Sequence, residues 1–215
     1  MKTTVTATQV ARYCDLLTNG KHIADFEGSR NGLQHKGTRP VRKVGAAVDA
    51  GAKVFAEAAR RGVDFLIVHH GMYWRPVSPE REVRSLRKAA LKKTGLSLYS
   101  SHLPLDAHPA IGNNALIAQD LGLKVVDWFV DYEGLPIACI CKGIPRATLR
   151  KRLKASYPET YKGIEFGSAK PKKGDRGRTD HCRAFLTRRI DTLFFTEVAS
   201  LMRDTVESSA ISNAQ

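Results

Sequence analysis

Two adjacent histidines, His69 and His70, stand at the point where a continuous apolar run gives way to a glycine. The run, residues 65–68, predicts a strand buried on both faces, as in a parallel sheet. Ligands of open α/β sheets gather outside the carboxyl ends of the strands, so side chains at this point are well placed to bind one. Neighbouring side chains on a strand point to opposite faces, and both imidazoles reach one cavity only if the backbone turns, which Gly71 permits.

A second group of potential ligands follows the predicted strand 96–100 and consists of His102, Asp106 and His108. Imidazole and carboxylate together suit Zn, Mn, Fe or Ni, and the sequence does not choose among these metals. A carboxylate between two imidazole-bound ions can bridge them, and Asp106 is the natural residue for that role. The two strand ends therefore indicate a site for divalent metal ions.

The same spacing leaves a structural interpretation open. His69 and His70 can equally be hydrogen-bonded side chains at a strand terminus that hold no ion. Asp49 also follows a predicted strand, residues 44–48, and we interpret it as the cap of the next helix rather than as a chemical group. The residues alone do not decide between these alternatives.

Hydrophobic periodicity and capping residues predict strands that alternate with helices of about ten residues. This alternation implies right-handed crossovers and a mostly parallel sheet covered by helices, which is the α/β class. The helix with the best signals has Ser78 as N-cap, Pro79 in its first position and Gly95 as C-cap. The predicted helices are 6–17, 52–61, 78–95, 113–121 and 145–155, and the predicted strands are 44–48, 65–68, 96–100, 124–128 and 136–141. Farther along, 170–178 has the composition of an exposed loop, while 190–195 and 198–206 are predicted as a strand and a helix.

The net charge of +14 is concentrated in one segment of the 215 residues. Residues 142–189 contain 15 lysines and arginines against 4 acidic residues, and so carry +11 of that excess. Nucleic acid is a conceivable partner for such a segment, but aromatic residues are not regularly interleaved with its cations. We therefore interpret the segment as a solvated face.

Composition also excludes several classes of protein. The chain has no apolar run approaching the roughly 20 residues that span a bilayer, and its first residues lack the apolar core of a secretory signal. We therefore expect a cytoplasmic protein. Its four cysteines form no paired CxxC units, so Cys139 and Cys141, two residues apart on a predicted strand, are interpreted as core residues rather than as half of a zinc site.

Three motifs in order resemble the NIF-three-like family, whose members are called GTP cyclohydrolase 1 type 2 homologues. They are VDA at 48–50, LIVHHGMYW at 66–74 and YSSHLPLDAHP at 99–109, which continues through GNNA at 112–115. The resemblance covers about residues 5 to 135. It implies a two-lobed α/β protein that assembles as a toroidal homohexamer and holds a pair of metal ions in each subunit.

By this resemblance, His69, His70 and Asp106 are metal ligands and His102 is a neighbouring group. The remaining ligands of the family are a histidine and a glutamate four residues apart on a C-terminal helix. This pair is absent here: the last histidine is His181, and Phe185 stands four residues after it. We therefore divide the chain into a metal-binding lobe, 1–135, and a basic, weakly patterned second lobe or tail, 136–215, which we expect to be truncated, frame-shifted or decayed.

Two functions follow as hypotheses. The first is a metal-dependent hydrolase, GTP cyclohydrolase-like by resemblance only, in which bound ions activate water. The second is an oligomeric regulatory or nucleic-acid-binding protein whose metal is structural. No phosphate-cradling GxxxxGK[ST] loop is present, so the residues specify no substrate and we assign no catalytic residue.

Overall fold

The computed structural model of the protein describes residues 5–73, 78–132, 134–157 and 181–183. These residues belong to two compact units, which divide between Leu105 and Asp106. The domain boundary predicted at 135 follows charge and resemblance instead, and it stays a prediction. The loop, strand and helix predicted at 170–178, 190–195 and 198–206 lie outside the described residues.

The first unit contains a four-stranded sheet with helices. Its elements are α1 (Ala7–Thr18), β1 (Gly32–His35), β2 (Val44–Asp49), α2 (Ala52–Arg60), β3 (Phe65–His70), α3 (Ser78–Thr94) and β4 (Ser97–Ser100), followed by the short α4 (Leu103–Asp106), which reaches the boundary between the units. The strand order is β1-β4-β3-β2. β2, β3 and β4 are parallel to one another, and β1 is antiparallel to β4. The mostly parallel α/β sheet predicted from the sequence is confirmed.

Local signals explain where these helices begin and end. Thr6 and Gln9 form a capping box at the start of α1, in which each side chain bonds the backbone of the other residue. Asn19 ends α1 in the left-handed region with φ 53°. Gly95, with φ +71°, follows α3 in the same region, where a residue without Cβ is least strained. The boundaries predicted from caps therefore agree closely with the structure.

The core of the first unit is built around β3. Residues 65–69 of this strand are all buried, and only His70 at its end is partly exposed. Phe55 of α2, Leu91 of α3 and Leu98 of β4 are fully buried in the same cluster. Burying one such side chain contributes about 1.5–3 kcal/mol, so the strand that ends in the two histidines is held rigidly on both faces.

The second unit has an antiparallel sheet of its own. It contains α5 (Asn113–Asp120), β5 (Val125–Tyr132), β6 (Leu135–Lys142), α6 (Arg146–Ser156) and β7 (His181–Arg183), with strand order β5-β6-β7. Tyr132 pairs with Leu135, so a two-residue loop containing Gly134 at φ +79° joins β5 to β6. Such a loop is too short for the crossover that a parallel pair requires.

Cys139 and Cys141 project from β6 into the core of this unit beside Ala118. Both are buried free thiols, and burial raises the pKa of each. Their prediction as core residues is confirmed. None of the helices in the described ranges combines the length and the apolarity that crossing a bilayer requires.

Candidate metal centre

Three imidazole rings gather at the carboxyl edge of the parallel strands. The ring centroids of His69 and His70 are 4.7 Å apart, those of His69 and His102 4.8 Å, and those of His70 and His102 5.5 Å. One ring nitrogen from each residue lies within 4.8 Å of the other two. This is the group of potential metal ligands found among the described residues.

The sheet topology explains the cluster. His69 and His70 are the last two residues of β3, and His102 lies two residues after the end of β4. β3 and β4 are parallel neighbours in register from Phe65–Ser97 to Val68–Ser100, so their carboxyl ends meet at one edge. The predicted strand ends therefore do bring histidines of two motifs together.

Each of the three rings is held through its Nδ1 atom. His69 Nδ1 lies 3.1 Å from the backbone oxygen of Ser101, and His70 Nδ1 lies 2.7 Å from Asp49 Oδ1. His102 Nδ1 lies 2.8 Å from Asp25 Oδ1. A carbonyl or a carboxylate can only accept a hydrogen bond, so Nδ1 is the donor in all three rings. In the neutral tautomer the lone pair is then on Nε2, as in histidines that bind metals.

Burial keeps His69 neutral. Its side chain is 8% exposed, and desolvation, followed by the nearby His102 and His70, lowers its pKa to about 3. A neutral imidazole offers a lone pair, whereas a protonated one has none. His69 is therefore a ready ligand throughout the neutral range of pH.

A buried carboxylate, Asp25, organises the His102 side of the site. Its Oδ1 accepts from His102, and its Oδ2 accepts from Asn31 Nδ2 at 2.7 Å and from the Leu103 backbone N–H at 3.1 Å. Burial raises the pKa of Asp25, but the hydrogen bonds from His102 and Asn31 outweigh it, and the net pKa is lowered. Asn31 also accepts the backbone N–H of His102 at 2.8 Å.

Sequence reasoning did not identify Asp25 or Asn31. Both lie in the segment between α1 and β1, which has neither periodicity nor a motif of known spacing. Their role depends on a contact across 77 residues of chain, from Asp25 to His102. The only available signal is general: a metal-binding histidine usually donates its second ring N–H to a carboxylate or a carbonyl.

The interpretation of Asp49 as a helix cap is wrong. α2 begins after Gly51, and no side chain caps it. Asp49 instead pairs with His70 across the parallel β2–β3 register, and its carboxylate bonds the His70 ring. Residues paired in neighbouring strands project to the same face, which places this carboxylate beside the histidine rather than at the helix.

Gly71 also serves a purpose other than the predicted one. It is not among the glycines with positive φ, so its conformation is open to any residue. A Cβ at Gly71 would instead collide with the side chain of Gln34, whose Oε1 accepts the Met72 backbone N–H at 2.7 Å. The glycine therefore leaves room for the Gln34 side chain of β1 to reach the end of β3.

Asp106 and His108 belong to the second unit. The Asp106 carboxylate accepts a hydrogen bond from the Asn113 amide. His108 Nδ1 accepts the backbone N–H groups of Ala110 and Ile111, which gives His108 a local structural role in that turn. The assignment of Asp106 as a metal ligand stays a prediction.

The residues present fit a divalent ion. Three imidazoles with Nδ1 committed to acceptors match the usual donor set of zinc and similar metals. Nitrogens on one tetrahedral zinc ion lie about 3.4 Å apart, since each Zn–N bond is about 2.1 Å long. The ring nitrogens here lie within 4.8 Å of one another, so a single ion would require the rings to close by up to about 1.4 Å. Ser101 precedes His102 in the chain, and its backbone oxygen contacts the His69 ring. Its hydroxyl oxygen, Oγ, is buried without a hydrogen-bond partner in the described structure. A polar ligand would satisfy such an atom.

The fold and the site thus define an α/β protein with a histidine cluster at a strand edge that suits a metal. The chain belongs to the Duf34/NIF3 (NGG1p interacting factor 3) family, whose model matches residues 6–179. This confirms the resemblance found in the three motifs.

Named relatives and solved structures agree. The chain is 41% identical over 134 residues to a protein of Archaeoglobus fulgidus and 37% identical over 152 residues to one of Pyrococcus horikoshii, each named GTP cyclohydrolase 1 type 2 homolog. These matches cover 62% and 67% of this chain but only 54% and 60% of the relatives, so the chain spans little more than half of their length.

Two solved structures share the fold. Protein ybgI, described as of unknown function, matches with a TM-score of 0.60 and 32% identity over 71% of this chain and 60% of its own. Protein TTHA1606 from Thermus thermophilus matches with a TM-score of 0.58 and 38% identity over 70% of this chain and 61% of its own. The predicted fold class is therefore supported by structure as well as by sequence.

Proposed function

We propose that this protein is a metal-dependent hydrolase whose centre is built on His69, His70 and His102. The observation that carries the proposal is the gathering of the three rings at one strand edge, with Nδ1 of each ring donating a hydrogen bond to an acceptor. A cluster of merely structural histidines has no need to orient all three rings in the same sense.

The proposal extends to a second ion and a fourth ligand. Asp106 follows His102 by four residues, and its carboxylate would bridge two ions held by the imidazoles. Zn, Mn, Fe and Ni all suit this combination of nitrogen and oxygen ligands.

A divalent ion bound here would lower the pKa of a coordinated water and so supply a nucleophile at neutral pH. The protein's own residues orient the ligands. Asp49 and Asp25 hold the His70 and His102 rings, and the Ser101 carbonyl holds that of His69. The Asp49 side chain is 72% exposed, so the His70 side of the centre is open to solvent.

The name shared by the relatives suggests the substrate class, a purine nucleotide whose ring is opened by water. We include this reaction, a homohexameric assembly and a cytoplasmic location in the proposal as properties of the family. Hexamer formation is testable by the mass of the protein in solution. Cyclohydrolase activity is testable by incubating the metal-loaded protein with GTP and following the ring-opened product.

The central test measures metal binding by the full chain. After treatment with a chelator, the protein is titrated with zinc in competition with a chromophoric chelator, and the bound metal is counted by mass spectrometry. The double variant His69→Ala/His70→Ala should lose more than about 100-fold in affinity, because even the loss of a supporting partner costs 10- to 100-fold.

His22→Ala is the matched control, since this exposed histidine lies outside the cluster. It should bind zinc like the unaltered protein. Circular dichroism of the double variant establishes that its fold persists. If the folded double variant retains zinc with unchanged affinity, the centre is not where we place it, and the histidines revert to structural residues of a strand end.

The alternative function, nucleic-acid binding by the basic segment, has weaker support. α6 carries basic residues and no acidic residue among its 11 positions. However, Arg152 Nη1 donates to the Leu121 and Gly122 carbonyls at 2.7 and 2.9 Å, where it satisfies the end of α5. At least this cation is used within the fold, which favours the metal-centred function.

A further inference from the structure

Three cations converge on one aromatic ring in the first unit. The Arg30 guanidinium carbon lies 5.3 Å from the centroid of the Tyr73 ring, that of Arg84 lies 5.7 Å away, and Lys88 Nζ lies 5.3 Å away. Arg84 and Lys88 are four residues apart on α3 and therefore share a helix face, whereas Arg30 comes from the segment before β1. We call these four residues the Tyr73 cation cluster.

The cluster places three positive charges around one ring. Among the side chains that the structure describes, no carboxylate forms an ion pair with any of its three cations. The face of a tyrosine ring offsets each cation by only about 0.5–1 kcal/mol at an exposed site. Three like charges around one ring thus favour the approach of an anion.

The cluster is tied to the histidines by two separate stretches of chain. Tyr73 is the third residue after His70, and three residues of extended backbone reach no farther than about 11 Å. Arg30 precedes Asn31, whose amide oxygen accepts the backbone N–H of His102. A ligand that touches both groups is therefore the size of a small organic molecule.

The chemistry of the cluster suits a phosphate group. Two guanidinium groups and one ammonium group approach from different segments, and a phosphate offers several strong acceptor oxygens in a tetrahedral arrangement. A nucleic-acid strand instead uses aromatic faces for stacking along a basic path, and here the aromatic ring is surrounded by cations. The arrangement favours one compact phosphate-bearing group.

We propose that the Tyr73 cation cluster binds the phosphate of a small phosphorylated molecule, whose remaining part reaches His69, His70 and His102. The second half of this statement rests on the proposed function. The first half, anion binding by the cluster, does not depend on metal.

The test uses pyrophosphate as the probe and isothermal titration calorimetry at low ionic strength, with the full chain freed of metal. Arg84→Gln/Lys88→Gln removes two cluster cations from α3. The control, Lys92→Gln/Lys93→Gln, removes two exposed cations from the last turn of the same helix and changes the net charge equally. We expect the dissociation constant to rise about tenfold or more in the first variant, equivalent to at least about 1.4 kcal/mol, and by less than about twofold in the control, since separated surface charges are screened.

Equal weakening in both variants, or none in either, would overturn the proposal, because binding would then reflect net charge or another site. Binding of a short single-stranded oligonucleotide that depends on Arg84 and Lys88, with no binding of pyrophosphate, would overturn it in favour of nucleic acid. His69→Ala/His70→Ala should bind pyrophosphate normally without metal. If zinc binding fails in the unaltered protein while pyrophosphate binding still depends on the cluster, the proposed function falls and the phosphate site stands.

Discussion

Replacing Asp25 by asparagine should disturb both the stability of the first unit and its affinity for metal. The carboxylate accepts four hydrogen bonds: Oδ1 from the Phe26 N–H at 2.7 Å and from His102 Nδ1 at 2.8 Å, and Oδ2 from Asn31 Nδ2 at 2.7 Å and from the Leu103 N–H at 3.1 Å. All four partners are donors. Asparagine has one accepting oxygen and one donating amide. In one orientation the amide faces the Asn31 amide and the Leu103 N–H. In the other it faces the Phe26 N–H and His102, whose ring can accept at Nδ1 only by moving its proton to Nε2, the nitrogen that a metal would need.

The magnitude follows from this count. The Asp25 side chain is 6% exposed, so water replaces the lost acceptor poorly. A buried donor without a partner costs about 1–3 kcal/mol, and because the amide takes the less costly orientation the free energy of unfolding should fall by about that amount. Loss of the orientation of His102 should also weaken metal binding by 10- to 100-fold, the usual effect of removing a partner of a metal ligand.

Urea unfolding of the metal-free protein measures the first effect, and zinc competition with a chromophoric chelator measures the second. Asp15→Asn is the matched control. Asp15 accepts a hydrogen bond from the Tyr99 hydroxyl at 3.0 Å, and an amide oxygen can accept it equally well. We expect this control to change stability by less than about 1 kcal/mol and to leave zinc affinity unchanged.

An Asp25→Asn protein that is less stable yet binds zinc within about twofold of the unaltered protein would refute the role of Asp25 in the metal centre. Unchanged stability would refute the hydrogen-bond geometry itself. The two readouts thus separate a structural carboxylate from one that positions a ligand.

Two further substitutions test the fold. Gly45→Ala should lower the free energy of unfolding, measured in urea, by about 1–3 kcal/mol, because the new Cβ would lie 2.8 Å from Val63 Cγ2 and overpack the core. Unaltered stability would show that Val63 moves aside without cost. Arg152→Met should increase hydrogen exchange at the end of α5 by roughly tenfold, since the last carbonyls of that helix lose a charged donor. Lys151→Met changes an exposed position of α6, the helix that carries Arg152, and should leave hydrogen exchange at the end of α5 unchanged. Equal exchange in the two variants would contradict this role of Arg152.

The elements that sequence predicted well are those with strong local signals. β3 is an apolar run between a glycine and two histidines, and α1 begins at a capping box. Short elements were missed where such signals are lacking. β1 is four residues long and includes Gln34 and His35, and it is a strand only because it pairs with β4. The pairing of β1 with β4 is a tertiary contact, and local β-propensity cannot predict it.

In the candidate site too, residues with local signals were predicted and residues that depend on distant contacts were not. His69 and His70 were identified because both stand at the end of one obvious strand, and His102 because it follows another. Asp25 and the true partner of Asp49 could not be found, since both depend on contacts between distant segments. The antiparallel sheet of the second unit was missed because the two-residue loop before Leu135 was not recognised as a hairpin turn.

The supports of the three histidine rings also bear on the order in which the protein folds. They join residues 21, 32 and 77 positions apart in the chain, and the 77-residue contact requires the segment before β1 to meet the end of β4. Closing loops of that length is entropically costly and is achieved late, once the sheet has assembled. We therefore expect metal capture to follow folding rather than to nucleate it. Zinc added during refolding should leave the folding rate unchanged and should slow unfolding instead. Metal binding would then report that the sheet has fully formed.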